Sequence, residues 1–166
     1  MQEFAGYFRD YRQKRGYITM IAIANDHVGY ELKHMVIELL DEMGLKYHDF
    51  GAYDTERSDY PTFGGIAAKA VAKGECERGI LLCGTGVGIS ITANKVQGVR
   101  CVVCSEPYSA ILSRKHNDTN MIAIGSRVVG PELARMIVKE WLTTDFEGGR
   151  HQMRVDIIRE IEQSRD

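Results

Sequence analysis

Two hydrophobic rhythms alternate along this chain. Short, mostly apolar segments at 18–24, 79–83, 99–104 and 121–124 read as buried strands, and 46–50, lying between two helical stretches, supplies a fifth. Between them apolar residues recur at the three-four spacing of helices that bury one stripe. Leu32, Met35, Val36, Leu39, Leu40 and Met43 form the first stripe, stopped by Gly44; Phe63, Ile66, Ala67, Ala70 and Val71 form the next, stopped by Gly74. Shorter helices fit 89–95 and 107–114. Leu133, Ala134, Ile137, Val138, Trp141 and Leu142 make a long inward face, and Val155, Ile158 and Ile161 line one side of a last helix from about Arg150. Pro61, Pro107 and Pro131 stand where a first helical residue belongs. Strands alternating with helices predict an α/β fold: a single-domain, Rossmann-like three-layer αβα sandwich with a five-stranded parallel sheet. Ligands of such sheets sit beyond the carboxyl ends of the strands.

Composition narrows the functional classes. The chain has 166 residues, 44% hydrophobic and 27% charged, the make-up of one globular domain. A net charge of −2 gives no general attraction for nucleic acid, so any anion site must be local. No apolar run is long enough to span a membrane and no signal-peptide pattern opens the chain, so no membrane partner and a cytoplasmic location are expected. Residues 1–19 are aromatic and basic without a period, which reads as an N-terminal extension to a domain at 20–166. Of the four cysteines, Cys101 and Cys104 share a strand at a spacing that turns them to opposite faces. A metal or a local disulfide there is not expected.

The chemistry concentrates around residues 79–90, where an apolar strand stops at Cys83, glycines follow at 84, 86 and 88, and a helix begins. Such a backbone can bring the N–H groups of Gly84, Thr85, Gly86, Val87 and Gly88 onto an oxyanion or phosphate. The same dipoles favour thiolate over thiol, making Cys83 a candidate nucleophile or base; the plainer alternative is a small buried apolar residue. Asp26 and His27 follow the first strand, Tyr60 the second and Arg127 the fifth, all at carboxyl ends. Asp26 reads equally well as a turn cap, and His27 as a solvated loop residue. His116-Asn117-Asp118 resembles a helix C-terminus with its Asn in the left-handed conformation. Arg150 and Arg154, one helical turn apart beyond two glycines, suit a phosphate; the alternative is a solvated basic face near Asp156. A thiol, an oxyanion cradle, a histidine and paired arginines together suit a small phosphorylated carbonyl compound. Isomerising a sugar phosphate needs a base, donors for the enediolate charge and an acid to open the ring.

Five motifs in order carry a resemblance: Asp26-His27-Val28-Gly29-Tyr30, Asp59-Tyr60-Pro61, the 79–88 stretch, Ser113-Arg114-Lys115-His116-Asn117-Asp118, and Glu147-Gly148-Gly149-Arg150-His151. Over about 20–163 the chain resembles the ribose-5-phosphate isomerase B family, which also contains allose- and galactose-6-phosphate isomerases. The resemblance implies that Cys83 is the base, that the N–H groups of 84–88 stabilise the enediolate, and that His116 opens the furanose ring with Asp26 assisting. It further implies that Asn117 and Tyr60 position hydroxyls and that His27, Arg150 and Arg154 hold the phosphate, with Arg127 and His151 as further candidates. No cofactor is implied. The implied assembly is a homodimer or homotetramer whose site lies between subunits, His116 and Asn117 reaching in from the neighbour. The same scaffold serves a six-carbon substrate such as allose 6-phosphate, the runner-up. A nucleotide-binding module is a distant alternative, because Ile89 stands where a dinucleotide fingerprint has Gly or Ala. A non-catalytic sugar-phosphate sensor, tolerant of losing Cys83, is a third.

Overall fold

A computed structural model describes residues 20–164; the expected extension at 1–19, which takes in the start of the 18–24 strand, and residues 165–166 lie outside the described residues. The elements are β1 (Ile21–Asn25), α1 (Tyr30–Glu42), β2 (Tyr47–Asp49), α2 (Tyr60–Ala72), β3 (Arg78–Cys83), α3 (Val87–Ala93), β4 (Cys101–Val103), α4 (Pro107–Asn117), β5 (Met121–Gly125), α5 (Pro131–Thr143) and α6 (Arg150–Gln163). A single 3-10 turn, His27–Gly29, joins β1 to α1. Pro61, Pro107 and Pro131 each lie in the first turn of a helix, where a missing N–H leaves no acceptor unpaired.

All five strands run parallel in the order β2-β1-β3-β5-β4. The winding reverses across the β1–β3 pair, so the loops leaving these strands part and open a crevice at their carboxyl ends. The residues after Asn25 thereby lie beside those after Leu82, tied by the Asp26 N–H donating to the Leu82 carbonyl at 3.2 Å.

The two faces of the sheet differ in size of side chain. Ile21, Ile23, Ile80, Leu82, Ile122 and Ile124 pack with α1 and α5, the latter contributing fully buried Trp141. On the other face Ala22, Ala24, Leu81, Cys83 and Ala123 meet the alanines of α2 and Ile89 of α3. Small residues let those helices approach closely: a Cβ at Gly64 would lie 2.6 Å from Ile89. Cys101 packs with the second cluster and Cys104 belongs to the first, the opposite-face arrangement expected of that pair.

Several helical stripes are narrower than their spacing predicts. Ile66, Leu133, Ile158 and Ile161 face outward, while Met35 and Phe63 are half-buried. Ala68 takes the inward place beside Ala67, because α2 buries its small-residue side. Conversely, Lys33 sits unforeseen inside the α1 stripe, fully buried, its Nζ 2.9 Å from Asp49 Oδ2 and donating to the Ala52 carbonyl at 2.6 Å. Desolvating two charges costs several kcal/mol each, offset here by two short contacts that pin α1 to β2 and the following loop.

Two boundaries bear on the site. Helix α3 begins at Val87, two residues before the predicted start, so Val87 and Gly88 are in its first turn. Helix α4 continues through Asn117, and Asp118, not Asn117, takes the left-handed conformation (φ 45°). Asp tolerates that region, and its carboxylate there reaches Arg114 at 2.8 Å and Arg100 at 3.0 Å.

Candidate active site

The first group of predicted residues collects at the β1–β3 crevice. Cys83 ends β3 buried on the small-residue face, and its Sγ accepts the Gly86 N–H at 3.2 Å. Gly86 turns the chain with φ 77°, a conformation that brings this N–H back over the sulfur. Gly88 is required for a different reason. A Cβ there would lie 2.5 Å from Tyr60 Cζ and 2.8 Å from its hydroxyl oxygen, so the ring that opens α2 lies directly on the loop. Thr85 is exposed at the loop tip, its Oγ1 accepting the Val87 N–H at 3.3 Å.

Arg127 joins the same group. Its backbone N–H donates to the Gly84 carbonyl at 3.0 Å, and its guanidinium flanks Gly84, with Nη1 3.9 Å from where a Cβ would be. Asp26 is buried, and its Oδ1 accepts the N–H groups of Val28 (2.9 Å) and Gly29 (3.0 Å), the turn-capping role. His27 is held by Ser58, whose N–H donates to Nδ1 at 3.2 Å and whose Oγ accepts the His27 N–H at 3.0 Å. Nδ1 also lies 3.2 Å from the Ser58 carbonyl, so Ser58 occupies this side of the ring and leaves Nε2 for a ligand. Ser58 has no signature in the sequence, being one serine in a polar loop.

The second group lies where the end of α4 meets the start of α6. The His116 and His151 rings stack with centroids 4.1 Å apart and planes 8° apart. Glu147 Oε2 lies 3.9 Å from His116 Nε2 and 3.7 Å from His151 Nε2. Lys115 Nζ approaches the other carboxylate oxygen at 3.6 Å, and the Glu147 N–H donates to the Lys115 carbonyl at 3.0 Å, fastening the loop to α4. His151 is buried with its Nδ1 unpartnered, whereas His116 is one-third exposed. Burial, then the neighbouring His116, Arg150 and Arg154, hold the His151 pKa below the usual imidazole value, against an opposing pull from Glu147.

Among the described residues neither Arg150 nor Arg154 has an ion-pair partner. Asp156, the anticipated partner, instead accepts from Gln152 at 2.8 Å and pairs with Arg159 at 3.4 Å. Arg150 Nε donates to His151 Nε2 at 3.5 Å, and two guanidinium groups one turn apart without carboxylate partners are chemically suited to a multiply charged anion. Asn117 is exposed beside this group.

His116, Glu147 and His151 have potential metal-ligand atoms within 4.8 Å of one another. Rings stacked this nearly parallel do not aim their lone pairs at one point, so the arrangement suits proton handling better than an ion. Among the described residues no hydrogen bond or ion pair joins the two groups. A cavity of about 340 Å³ between α6 and residues 97–100 contains no predicted site residue. No described helix is long and apolar enough to cross a membrane.

Residues 21–158 match the family described as Ribose/Galactose Isomerase. The chain is 60% identical to ribose-5-phosphate isomerase B of Escherichia coli, covering 88% of this chain and 98% of that protein. The structure of Clostridium thermocellum ribose-5-phosphate isomerase B superposes with a TM-score of 0.87 at 51% identity, covering 89% of this chain and 99% of that one. That of the Mycoplasma genitalium ribose-5-phosphate isomerase B, solved with bound ribulose-5-phosphate, gives 0.84 at 39% identity, covering 87% and 97%.

Proposed function

The chain belongs to the ribose/galactose isomerase family, and on that premise we infer that it is an aldose–ketose isomerase interconverting ribose 5-phosphate and ribulose 5-phosphate. The observation that carries this reading is the Cys83 thiol held at the strand end against the Gly86 N–H, with Tyr60 and Arg127 around it. Opening of the furanose puts the aldehyde at C1, His116 supplying a proton to the ring oxygen while Asp26 assists at the C1 hydroxyl. The Cys83 thiolate removes the C2 proton. Negative charge then develops on the enediolate oxygens, where the N–H groups of 84–88 are the donors, those of Gly86 and Val87 being shared with Cys83 Sγ and Thr85 Oγ1. Return of the proton to C1, with transfer between the two oxygens, gives the ketose without net change in atoms. His27 Nε2, Arg150 and Arg154 hold the phosphate, Arg127 closes one side, and Tyr60 and Asn117 position hydroxyls.

Grouping within one chain supports a site shared between subunits of a homodimer or homotetramer. His116, Arg150 and Arg154 stand together around His151, and among the described residues no hydrogen bond or ion pair joins them to the Cys83 group. If His116 comes from the neighbour, the paired arginines come with it. Exposed Ile66, Val87 and Ile91 beside the cradle supply an apolar surface for that neighbour to cover.

The test is turnover of ribose 5-phosphate with a metal chelator present, wild type against Cys83→Ala, and allose 6-phosphate in parallel. Chelator-resistant turnover that falls at least roughly a thousandfold in the variant is expected for loss of the base. Full activity in Cys83→Ala would remove Cys83 as the base, and preferred turnover of allose 6-phosphate would reassign the substrate to a six-carbon sugar.

A further inference from the structure

The reaction above uses His116 as an acid, yet an imidazole one-third exposed at a helix end has no fixed orientation of its own. Three contacts supply it, two of them through Glu147. Its backbone N–H is bound to the Lys115 carbonyl, adjacent to His116. One carboxylate oxygen faces Lys115 Nζ, which leaves Oε2 for the two imidazole Nε2 atoms at 3.9 and 3.7 Å. The third contact is the stack of His116 on His151, a buried ring that covers one face of His116.

We infer that Glu147 is a positioning residue for His116, its carboxylate orienting the protonated imidazole against the fixed plate of His151 for ring opening. Two rings 4.1 Å apart resist carrying charge together. The groups facing them are Glu147 and Lys115 at the α4 end and Arg150 and Arg154 on α6. Burial and these cations disfavour a proton on His151, and the carboxylate of the group lies 3.9 Å from His116 Nε2, where it can steer that ring. At 3.9 Å the contact between Glu147 and His116 is a charge attraction and not a hydrogen bond.

This inference rests on the isomerase reading and makes a separable prediction, because the two halves of the reaction can be measured apart. Ribulose 5-phosphate is open-chain, its C5 oxygen being occupied by phosphate. Exchange of its C1 hydrogen with solvent therefore needs the thiol and the cradle but no ring opening. In full-length enzyme, Glu147→Gln keeps the size and the backbone anchor of a half-exposed residue. Conversion of ribose 5-phosphate should fall about ten- to a hundredfold, while deuterium exchange into C1 of ribulose 5-phosphate in heavy water stays within about threefold of wild type. Glu147→Asp, which keeps the charge, should recover part of the conversion. Equal losses in both assays, or unchanged conversion in Glu147→Gln, would overturn the role of Glu147. Wild-type enzyme inert towards both pentose phosphates would overturn the isomerase reading itself, and this role with it.

Discussion

His151 is buried with an unpartnered ring nitrogen, and its depressed pKa links its protonation to stability. In the unfolded chain the imidazole protonates near pH 6.5; in the folded chain burial and three neighbouring cations oppose that proton. The unfolded state therefore binds more protons as the medium is acidified, so stability rises with pH. The contribution of neutral His151 is complete above about pH 6.5 and is lost as pH falls below it. Urea midpoints measured at about pH 7.5 and 5.5 should drop further in wild type than in His151→Gln, which has no proton to gain. Equal drops would show that His151 ionises alike in both states. Legibility at this scale tracks chemical rarity. A cysteine followed by three alternating glycines, or two arginines a turn apart behind two glycines, restrict the chemistry before any coordinates exist. Ser58 and Glu147 are common residues whose partners, His27 and the histidine stack, are brought to them only by folding.

The element that delivers His116 and Asn117 is the last turn of α4, and that turn is held from beyond its end. The N–H groups of Asp118 and Thr119 return to the carbonyls of Arg114 and Ser113, both at 3.2 Å, while the Asp118 carboxylate binds Arg114 and Arg100. Asp118→Asn keeps the backbone bonds and a residue type that tolerates the left-handed conformation, and removes both charged contacts. The expected loss is about 2 kcal/mol, equivalent to a fall in Tm of roughly 4–8 °C for a domain of this size. A thermal melt unchanged within about 2 °C would mean that the backbone bonds suffice to close the turn. Strand and helix identities were legible because the two apolar periods differ and the three prolines mark helix starts. The extent of α4 was not, since its last turn depends on Arg100, which arrives from the start of β4, distant in sequence. Stripe width was overestimated for a related reason: spacing reports every apolar residue on a helix face, and the chain's own core covers only part of that face at Ile66, Leu133, Ile158 and Ile161.

For the whole molecule, the exposed apolar residues of α2 and α3 and the two separate groups of site residues both support the proposed site shared between subunits. Fully burying an isoleucine is worth about 2 kcal/mol, and Ile66, Val87 and Ile91 stand exposed on α2 and α3 around the cradle. A partner that covers them and brings His116, Arg150 and Arg154 would complete the site and remove this apolar surface from water together. Mixed subunits test this directly. Cys83→Ala and His116→Ala chains, each expected to be nearly inactive alone, are co-refolded in equal amounts. With sites shared between subunits, random pairing makes half the dimers mixed, and each mixed dimer holds one site with both native residues and one with neither. Activity should recover to about a quarter of wild type. With each site inside a single chain, every site in the mixture carries one substitution and activity stays at the level of the parents. Recovery would therefore assign Cys83 and His116 to opposite subunits of one site; a flat result would require them to meet within a chain, by a movement of α4 and α6 towards the β1–β3 crevice.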